Sequence, residues 1–207
     1  MTTFFPREYI EKLNKDIEQF PQVKSIETDY HITRKGVGQL VMLDRYAFKD
    51  VEKKTLAVGD FVVVTAKEDP KFPARGLGWI WALNNDGTAD VRLLDEYVAQ
   101  ADDAVDGIIR RSLNLIDKPL EIFYEQIAYR VARGLATVET DEKKREQAFN
   151  DFYREIVSDN FVPAGRVLYG AGSGQMVTFY NCYVMPMPKD SREGIAEHRG
   201  KVMEIMS

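Results

Sequence analysis

The sequence predicts an α+β protein in which a small antiparallel β module precedes several helices. Short β-branched and aromatic stretches, separated by turn residues, fill residues 36–94, as is typical of antiparallel strands. After Asp95 the apolar residues recur at helical spacing instead. A hydrophobic fraction of 44% over 207 residues is enough for an ordinary core and corresponds to one or two domains. We divide the chain into an N-terminal lead-in (1–35), the β module (36–100), a helical segment (101–160) and a C-terminal segment (161–207).

The composition excludes several classes of protein. The chain holds 28 basic and 33 acidic residues, a formal charge of -5, which argues against nucleic acid or an anionic membrane as a partner. No apolar stretch approaches the roughly 18 residues that a membrane span needs. The charges at Arg7 and Glu8 come before any apolar segment long enough for a signal peptide. We therefore expect a cytoplasmic protein without a membrane partner.

Metal sites and disulfides lack their ligands in this sequence. Cys182 is the one cysteine, and His31 and His198 are the only histidines and lie far apart. A structural zinc site needs about four nitrogen or sulfur ligands, and a disulfide needs two cysteines. We expect no bound metal and no internal disulfide.

An amphipathic helix is predicted to open the chain. Pro6 suits the first helical turn, where its missing N–H leaves no bond unmade. Apolar residues then recur at helical spacing up to Phe20, namely Tyr9, Ile10, Leu13 and Ile17.

The β module is predicted from four short stretches, 36–43, 56–65, 76–83 and 89–94. Turn residues separate them, at 58–60, 69–70 and 84–87. Short strands joined by such turns predict a small antiparallel barrel, and we interpret it as SH3-like.

Three helices are predicted after the β module. The first is short and the second begins at Pro119, while the third follows a cap at Asp141. Their apolar residues are Val105, Ile108, Ile109 and Leu113; then Ile122, Phe123, Ile127, Val131, Leu135 and Val138; then Phe149, Phe152, Tyr153, Ile156 and Val157.

The C-terminal segment is predicted to be a glycine-rich loop up to residue 174, a strand over 178–185 and a helix after Asp190. A lone strand cannot bury both of its faces, because a parallel strand needs neighbours on both sides. Ile195 and Val202 also give the last helix an apolar stripe. We therefore expect the last fifty or so residues to begin a larger fold.

Three features of this segment could carry chemistry. The glycines of 170–174 allow a phosphate-binding loop, but a dinucleotide motif follows a strand whereas this stretch precedes one, so a plain loop is the alternative. Cys182 is either a buried small hydrophobe or a redox thiol that needs a partner. Asp190 and Ser191 either cap the last helix or donate to a phosphate.

Taken in order, these segments resemble the large subunit of ribonucleotide reductase, and most closely its adenosylcobalamin-dependent type. The resemblance is strongest in the residues 161–172, FVPAGRVLYGAG, in the pair Asn181 and Cys182, and in the pair Asp190 and Ser191.

Two regions further upstream extend the resemblance. Residues 129–132 and 138–139 look like the helical segment that precedes the catalytic barrel of this family. Residues 42–46 and 58–60 look like the small β module that some members carry in front of it. Several motifs in order are more specific than any one of them.

The resemblance implies a fold and an activity. The catalytic domain would be a ten-stranded α/β barrel, and its first strand and helix would lie in 161–207. It would reduce a ribonucleoside di- or triphosphate by thiyl-radical chemistry, with a redox cysteine pair that a thioredoxin-type partner reduces again. The radical cysteine, the second redox cysteine and most adenosylcobalamin contacts would belong to the remaining reductase polypeptide, and the complete enzyme would be a homodimer.

The resemblance also implies roles for individual residues. Cys182 matches the first cysteine of the redox pair. Gly165, Arg166 and Asn181 match positions that contact the substrate, and Asn replaces the Ser that many relatives have before the cysteine. Asp190 and Ser191 match the specificity site at the dimer interface, where a deoxynucleoside triphosphate biases the choice of base.

Two other functions stay open. A stand-alone protein-binding module could be built on the β barrel, since residues 36–95 carry eight basic and nine acidic residues and so do not favour a polyanion. A thiol enzyme using Cys182 with His198 is the second alternative, although no hydrolase motif surrounds either residue.

Overall fold

The computed structural model describes residues 5–27 and 37–206 of the chain. Its strands are β1 (Phe61–Lys67), β2 (Ala74–Leu83), β3 (Thr88–Leu93), β4 (Ile108–Ser112) and β5 (Ile116–Asp117). Its helices are α1 (Arg7–Ile17), α2 (Val37–Val41), α3 (Asp95–Val98), α4 (Tyr124–Ala136), α5 (Glu142–Val157), α6 (Gly165–Gly170) and α7 (Arg192–Met206). A π-helical turn, Met42–Tyr46, continues α2, and a 3-10 turn, Leu113–Leu115, joins β4 to β5.

The five strands form one antiparallel sheet that curls into a half-barrel. Their order is β4-β3-β2-β1-β5, with Phe61 opposite Trp79 in the central pair. β1 is buried on both faces because alternate side chains enter different cores. Val62 and Val64 lie inside the curl, whereas Phe61 and Val63 pack towards the helices. The predicted α+β class and antiparallel module are therefore confirmed, and β1, β2 and β3 match three of the predicted stretches.

The core outside the sheet joins α1 and α4 to the outer face of β1. The predicted N-terminal helix forms as α1, and the side chains that it buries are Tyr9, Ile10, Leu13 and Ile17. Phe5 sits at the centre, with edge-to-face contacts to Phe61 at 5.0 Å and to Phe123 at 5.8 Å between ring centroids. These contacts hold the lead-in against the sheet.

The stretch 36–43 was expected to form a strand, and this prediction is wrong for residues 37–43. The chain is helical from Val37 to Tyr46. The buried positions Gln39, Met42 and Leu43 follow the three- and four-residue spacing of a helix. Residue 36 lies outside the described residues.

The first helix predicted after Asp95 is also wrong, because residues 108–112 form β4 instead. Ile109 and Arg111 are buried, while Ile108, Arg110 and Ser112 are more exposed, so the burial alternates with the period of two of a strand. Arg111 Nε donates to the carbonyl oxygen of Thr65 at 2.9 Å, so this buried charged side chain has a hydrogen-bond acceptor within the sheet. The sheet thus continues to Asp117.

The other two predicted helices form, with one corrected start. The second begins at Tyr124 rather than at Pro119, because residues 118–120 run alongside 48–50. Gln126 Oε1 accepts hydrogen bonds from the backbone N–H of Ile122 and Phe123, which closes the start of α4. The predicted cap at Asp141 is confirmed, since its carboxylate accepts from the N–H of Lys144 at 3.0 Å.

The C-terminal segment differs from the prediction in two places. The expected loop contains α6, and residues 178–185 are exposed and adopt no regular structure instead of a strand. A strand needs a hydrogen-bonding neighbour, and none of the five strands in the described part of the chain pairs with this segment. The predicted last helix is confirmed as α7. None of the described helices combines the length and apolar character needed to cross a bilayer.

Candidate functional site

A buried ion pair lies where α4 meets α6. Arg130 lies on α4 beside the core residues Ile127 and Val131. Its Nε donates to Glu121 Oε1 at 2.8 Å, and its Nη2 donates to Glu121 Oε2 at 3.0 Å. Both side chains are almost completely buried. A bidentate pair of this kind is among the stronger polar contacts in proteins, and its geometry is fixed by the planar guanidinium.

The remaining donors of Arg130 bind backbone carbonyl groups. Nη1 donates to Ala171 at 2.8 Å, and Nη2 donates to Leu168 and to Tyr46 at 3.0 Å each. The last carbonyl groups of a helix have no partner within it, and a cation is a favourable one. The buried guanidinium of Arg130 therefore binds both the end of α6 and the end of the π-helical turn.

The glycines of 170–174 form a tight turn packed on α4. Gly172 has φ +70°, and a Cβ there would overlap the carbonyl oxygen of Arg130. A Cβ on Gly134 would in turn overlap the backbone of Gly172. The N–H of Ala171 donates to the carbonyl oxygen of Val167 in α6, and the N–H of Ser173 donates to that of Gly170. These two amides are thus occupied, which favours the plain turn over a phosphate-binding loop.

Gly165 and Arg166, two of the predicted substrate contacts, open α6. Gly165 lies against Tyr46, because a Cβ on it would stand 3.2 Å from the ring. Arg166 is exposed. An apolar cavity of about 320 Å³ lies next to these residues, lined mainly by side chains of the core and of the π-helical turn: Val41, Met42, Tyr46, Tyr124, Ile127, Val162 and Leu168.

Asn181 and Cys182 lie on the exposed segment before α7. The alternative of a buried Cys182 is therefore wrong for this structure. Nearby, the hydroxyl groups of Thr178 and Tyr183 are 3.1 Å apart. The Cys182 thiol is open to a reacting partner, which is the condition for thiol exchange.

Asp190 and Ser191 precede α7, and the cap hydrogen bond belongs to Ser191. Its hydroxyl accepts from the N–H of Gly194 at 3.0 Å, so the predicted capping role is confirmed for Ser191. A cavity of about 190 Å³ lies beside this turn, and His198 lines it together with Lys189 and Lys201. Cys182 does not line this cavity, so the arrangement does not favour the alternative of a thiol enzyme with His198 as its base.

Within residues 5–27 and 37–206, no group of three or more His, Cys, Asp and Glu side chains could hold a metal ion. His31 lies outside the described residues.

The sequence reasoning did not find the pairing of Arg130 with Glu121. The signal was available, because Arg130 interrupts an apolar helix stripe, and a charge on such a face needs a buried partner. The partner is nine residues away on an extended stretch, so no helical spacing connects the two.

Comparison with known proteins gives one match. No curated protein and no solved structure matches the chain. A family model that covers α4, α5, α6 and the turn at 170–174 supports the ribonucleotide reductase large subunit, to which the sequence motifs pointed. Residues 110–175 match the family described as "Ribonucleotide reductase, all-alpha domain".

Proposed function

We propose that the chain is the N-terminal segment of a ribonucleotide reductase large subunit, an oxidoreductase that makes deoxyribonucleotides for DNA synthesis. The observation that carries this proposal is the match over 110–175. The matched residues include the whole of the motif at 161–172 that carries the resemblance. Residues 176–207 are assigned to the same enzyme on the motifs around Cys182 and Asp190.

The proposed chemistry removes the 2′ hydroxyl of a ribonucleotide as water. A thiyl radical from the remaining polypeptide abstracts the 3′ hydrogen and returns it to C3′ at the end, while two further thiols supply the two electrons and two protons for the release of water and the new C2′–H bond. These thiols become a disulfide, which a thioredoxin-type dithiol reduces by exchange. Cys182 is proposed as one of the two thiols. Its exposure supports this role, because the reductant has to reach the sulfur.

Substrate contacts are proposed for Gly165, Arg166 and Asn181. The exposed guanidinium of Arg166 can pair with a phosphate, and the amide of Asn181 can donate and accept hydrogen bonds. Asp190 and Ser191 are proposed to take part in a deoxynucleoside triphosphate site between the two subunits of a homodimer. Lys189, beside this turn, supplies a positive charge that suits a phosphate.

Dependence on adenosylcobalamin is proposed from the resemblance alone. Pockets for drug-sized molecules take roughly 300–1,000 Å³, and a cobalamin is larger than such molecules. Neither the cavity of about 320 Å³ next to α6 nor the cavity of about 650 Å³ between α4 and α5 is large enough to enclose it. The described residues therefore do not fit this cofactor by themselves, and its contacts are expected in the remaining polypeptide.

For the β module we propose an SH3-like arrangement. Five antiparallel strands with a 3-10 turn between the last two support it. One observation also favours the second candidate function, a protein-binding module. Trp81 on β2 is 57% exposed, and the guanidinium of Arg92 lies 4.4 Å from the centre of its ring. An exposed tryptophan with a stacked arginine is typical of protein interfaces.

The test is ribonucleotide reduction by the chain joined to the remaining reductase polypeptide, with a small dithiol as reductant. We expect deoxyribonucleotide formation that requires adenosylcobalamin. Cys182→Ser should abolish multiple turnovers, whereas the neighbouring exposed control Thr178→Ser should keep them. Full turnover in Cys182→Ser would overturn the redox role, activity without adenosylcobalamin would overturn the type, and no reduction at all would overturn the function.

A further inference from the structure

We infer that Arg130 is a positioning residue that fixes the backbone of residues 165–174. This inference deepens the proposed function, because that segment opens with the proposed substrate contacts Gly165 and Arg166. Arg130 is buried, whereas Arg166 and Cys182 are exposed. Its effect passes through the carbonyl groups that it binds.

A buried guanidinium tolerates few arrangements of its surroundings. Each N–H that loses its acceptor leaves a buried charge partly unsatisfied, and such losses are among the more destabilising changes in a core. Arg130 has only carboxylate and carbonyl acceptors here. Leu168 and Ala171 must therefore hold their carbonyl oxygens at the positions that the planar fork requires.

Tyr46 connects Arg130 to Gly165. The carbonyl oxygen of Tyr46 accepts from Arg130 Nη2, and the ring of Tyr46 lies directly against Gly165. The same guanidinium thus restrains the segment twice, at the end of α6 through carbonyl groups and at its start through the Tyr46 ring.

Glu121 anchors Arg130 to a part of the chain outside α6. Glu121 Oε2 also accepts from the N–H of Phe48 at 2.8 Å. The carbonyl oxygen of Phe48 also accepts from the N–H of Leu120. Phe48 and Leu120 therefore belong to the paired extended stretches 48–50 and 118–120, which come before α4 in the chain. Because this anchor is independent of α6, Arg130 can position α6 rather than simply follow it.

The experiment compares Arg130→Lys with Arg133→Lys in the full chain by amide hydrogen exchange. Lysine keeps the charge opposite Glu121 but lacks the fork that reaches several carbonyl groups. Arg133 lies one turn further on α4 and is exposed, and its guanidinium donates to the carbonyl oxygen of Pro21 rather than to α6. We expect Arg130→Lys to speed exchange in 165–174 by about tenfold or more, the factor for one lost charged hydrogen bond. Exchange in β1 should stay unchanged, and Arg133→Lys should resemble the wild type.

A change spread evenly over the chain, or no change in 165–174, would overturn the inference. If Arg130→Lys fails to fold, Glu121→Gln loosens the anchor of the Arg130 guanidinium while leaving the residues of α6 themselves unaltered. Faster exchange limited to 165–174 in that variant supports the inference, and unaltered exchange contradicts it.

Kinetics of the assembled reductase separate this inference from the proposed function. If 165–174 contacts substrate, Arg130→Lys should raise KM about tenfold with little change in kcat, since a misplaced contact weakens binding before chemistry. Faster local exchange with an unchanged KM would keep Arg130 as a positioning residue and overturn the substrate role of the segment. Unchanged exchange would overturn the inference while the reductase activity stands.

Discussion

Lys118 Nζ lies 2.8 Å from Asp60 Oδ2, and neither side chain is exposed to solvent. The same ammonium group donates to Asp16 Oδ2 and to the carbonyl oxygen of Thr55, both at 2.7 Å. Asp16 belongs to α1, Asp60 directly precedes β1, and Lys118 directly follows β5. One buried cation therefore fastens the N-terminal helix to the two strands at this end of the sheet. Lys12 of α1 is also paired with Asp60.

Replacing Asp60 by Asn should destabilise the fold strongly. The change removes one carboxylate from two ammonium groups, of which that of Lys118 is fully buried. Breaking a buried pair from one side costs about 3–5 kcal/mol. We expect a loss of that size in urea unfolding followed by circular dichroism. The control is Glu11→Gln, on α1, where Glu11 forms an exposed pair with Arg7. This change should alter stability by less than about 1 kcal/mol. A similar small loss in both variants would contradict the role given to Asp60.

The sheet should also lose stability in acid through Asp103. Arg111 donates to both carboxylate oxygens, at 2.7 and 2.8 Å, and this hydrogen bonding holds the pKa of Asp103 below its ordinary value. The folded pKa is therefore lower than the unfolded one, which is about 3.9. Stability from this pair is fully present above that value and is lost as the pH falls through the lower, folded pKa.

The measurement is the urea midpoint between pH 2 and 7 for the wild type and for Asp103→Asn. The variant should be less stable at pH 7, and the difference should shrink below about pH 4 as Asp103 becomes protonated in the wild type. Asp102→Asn removes a neighbouring surface charge that pairs with Lys67 and serves as the control for net charge. A constant difference at all pH values would rule out the linkage to Asp103.

The parts of the fold that the sequence predicted are those where local pattern and tertiary burial agree. Strands β1 to β3 combine β-branched residues with clear turns, and α1 and α5 combine helical spacing with a recognisable start. Residues 37–43 were predicted as a strand because Val37 and Val41 favour strands, whereas the burial of Met42 and Leu43 needs a helix. The helix predicted over β4 failed for the opposite reason, since Ile108 and Ile109 fit either period over so short a stretch.

The candidate site was predictable only where it depends on neighbouring residues in the chain. The cap by Ser191 follows from its position before a helix, and the exposed Cys182 was singled out as the one thiol. The pair of Arg130 and Glu121 depends on the antiparallel pairing of residues 48–50 with 118–120, which lie far apart in the chain. Such a contact is decided by packing, which a local pattern does not contain.

Limited proteolysis should first cut the segment between α6 and α7. Residues 175–191 have almost no regular structure, and Tyr180 and Tyr183 are exposed there. Proteases need exposed and locally unfolded backbone, so chymotrypsin should cleave beside these residues before it cleaves within any described strand or helix. The aromatic residues of the core should be protected, as Phe61 is buried in β1. Mass spectrometry of the first fragments gives the order, and an early cut within β1 or β2 would contradict the structure.

The two residues before α7 can be assigned separate roles by two single variants. Ser191→Ala removes the acceptor of the Gly194 N–H and should cost about 0.5–2 kcal/mol in the stability of α7, visible as faster exchange in its first turn. Asp190→Ala leaves that cap intact, so the exchange of α7 should stay near the wild type. Asp190→Ala is therefore the variant that tests the proposed effector binding separately from the cap.

In the assembled reductase, Asp190→Ala should weaken deoxynucleoside triphosphate binding and flatten its influence on which base is reduced. Coupling between two sites requires a differential contact at each, and typical couplings correspond to about 5–150-fold. Substrate preference with and without each effector measures this coupling, and Ser191→Ala reports how much of the change comes from a loosened helix. If Asp190→Ala keeps the full effector response while Ser191→Ala only frays α7, the turn is a helix cap and the effector binds elsewhere.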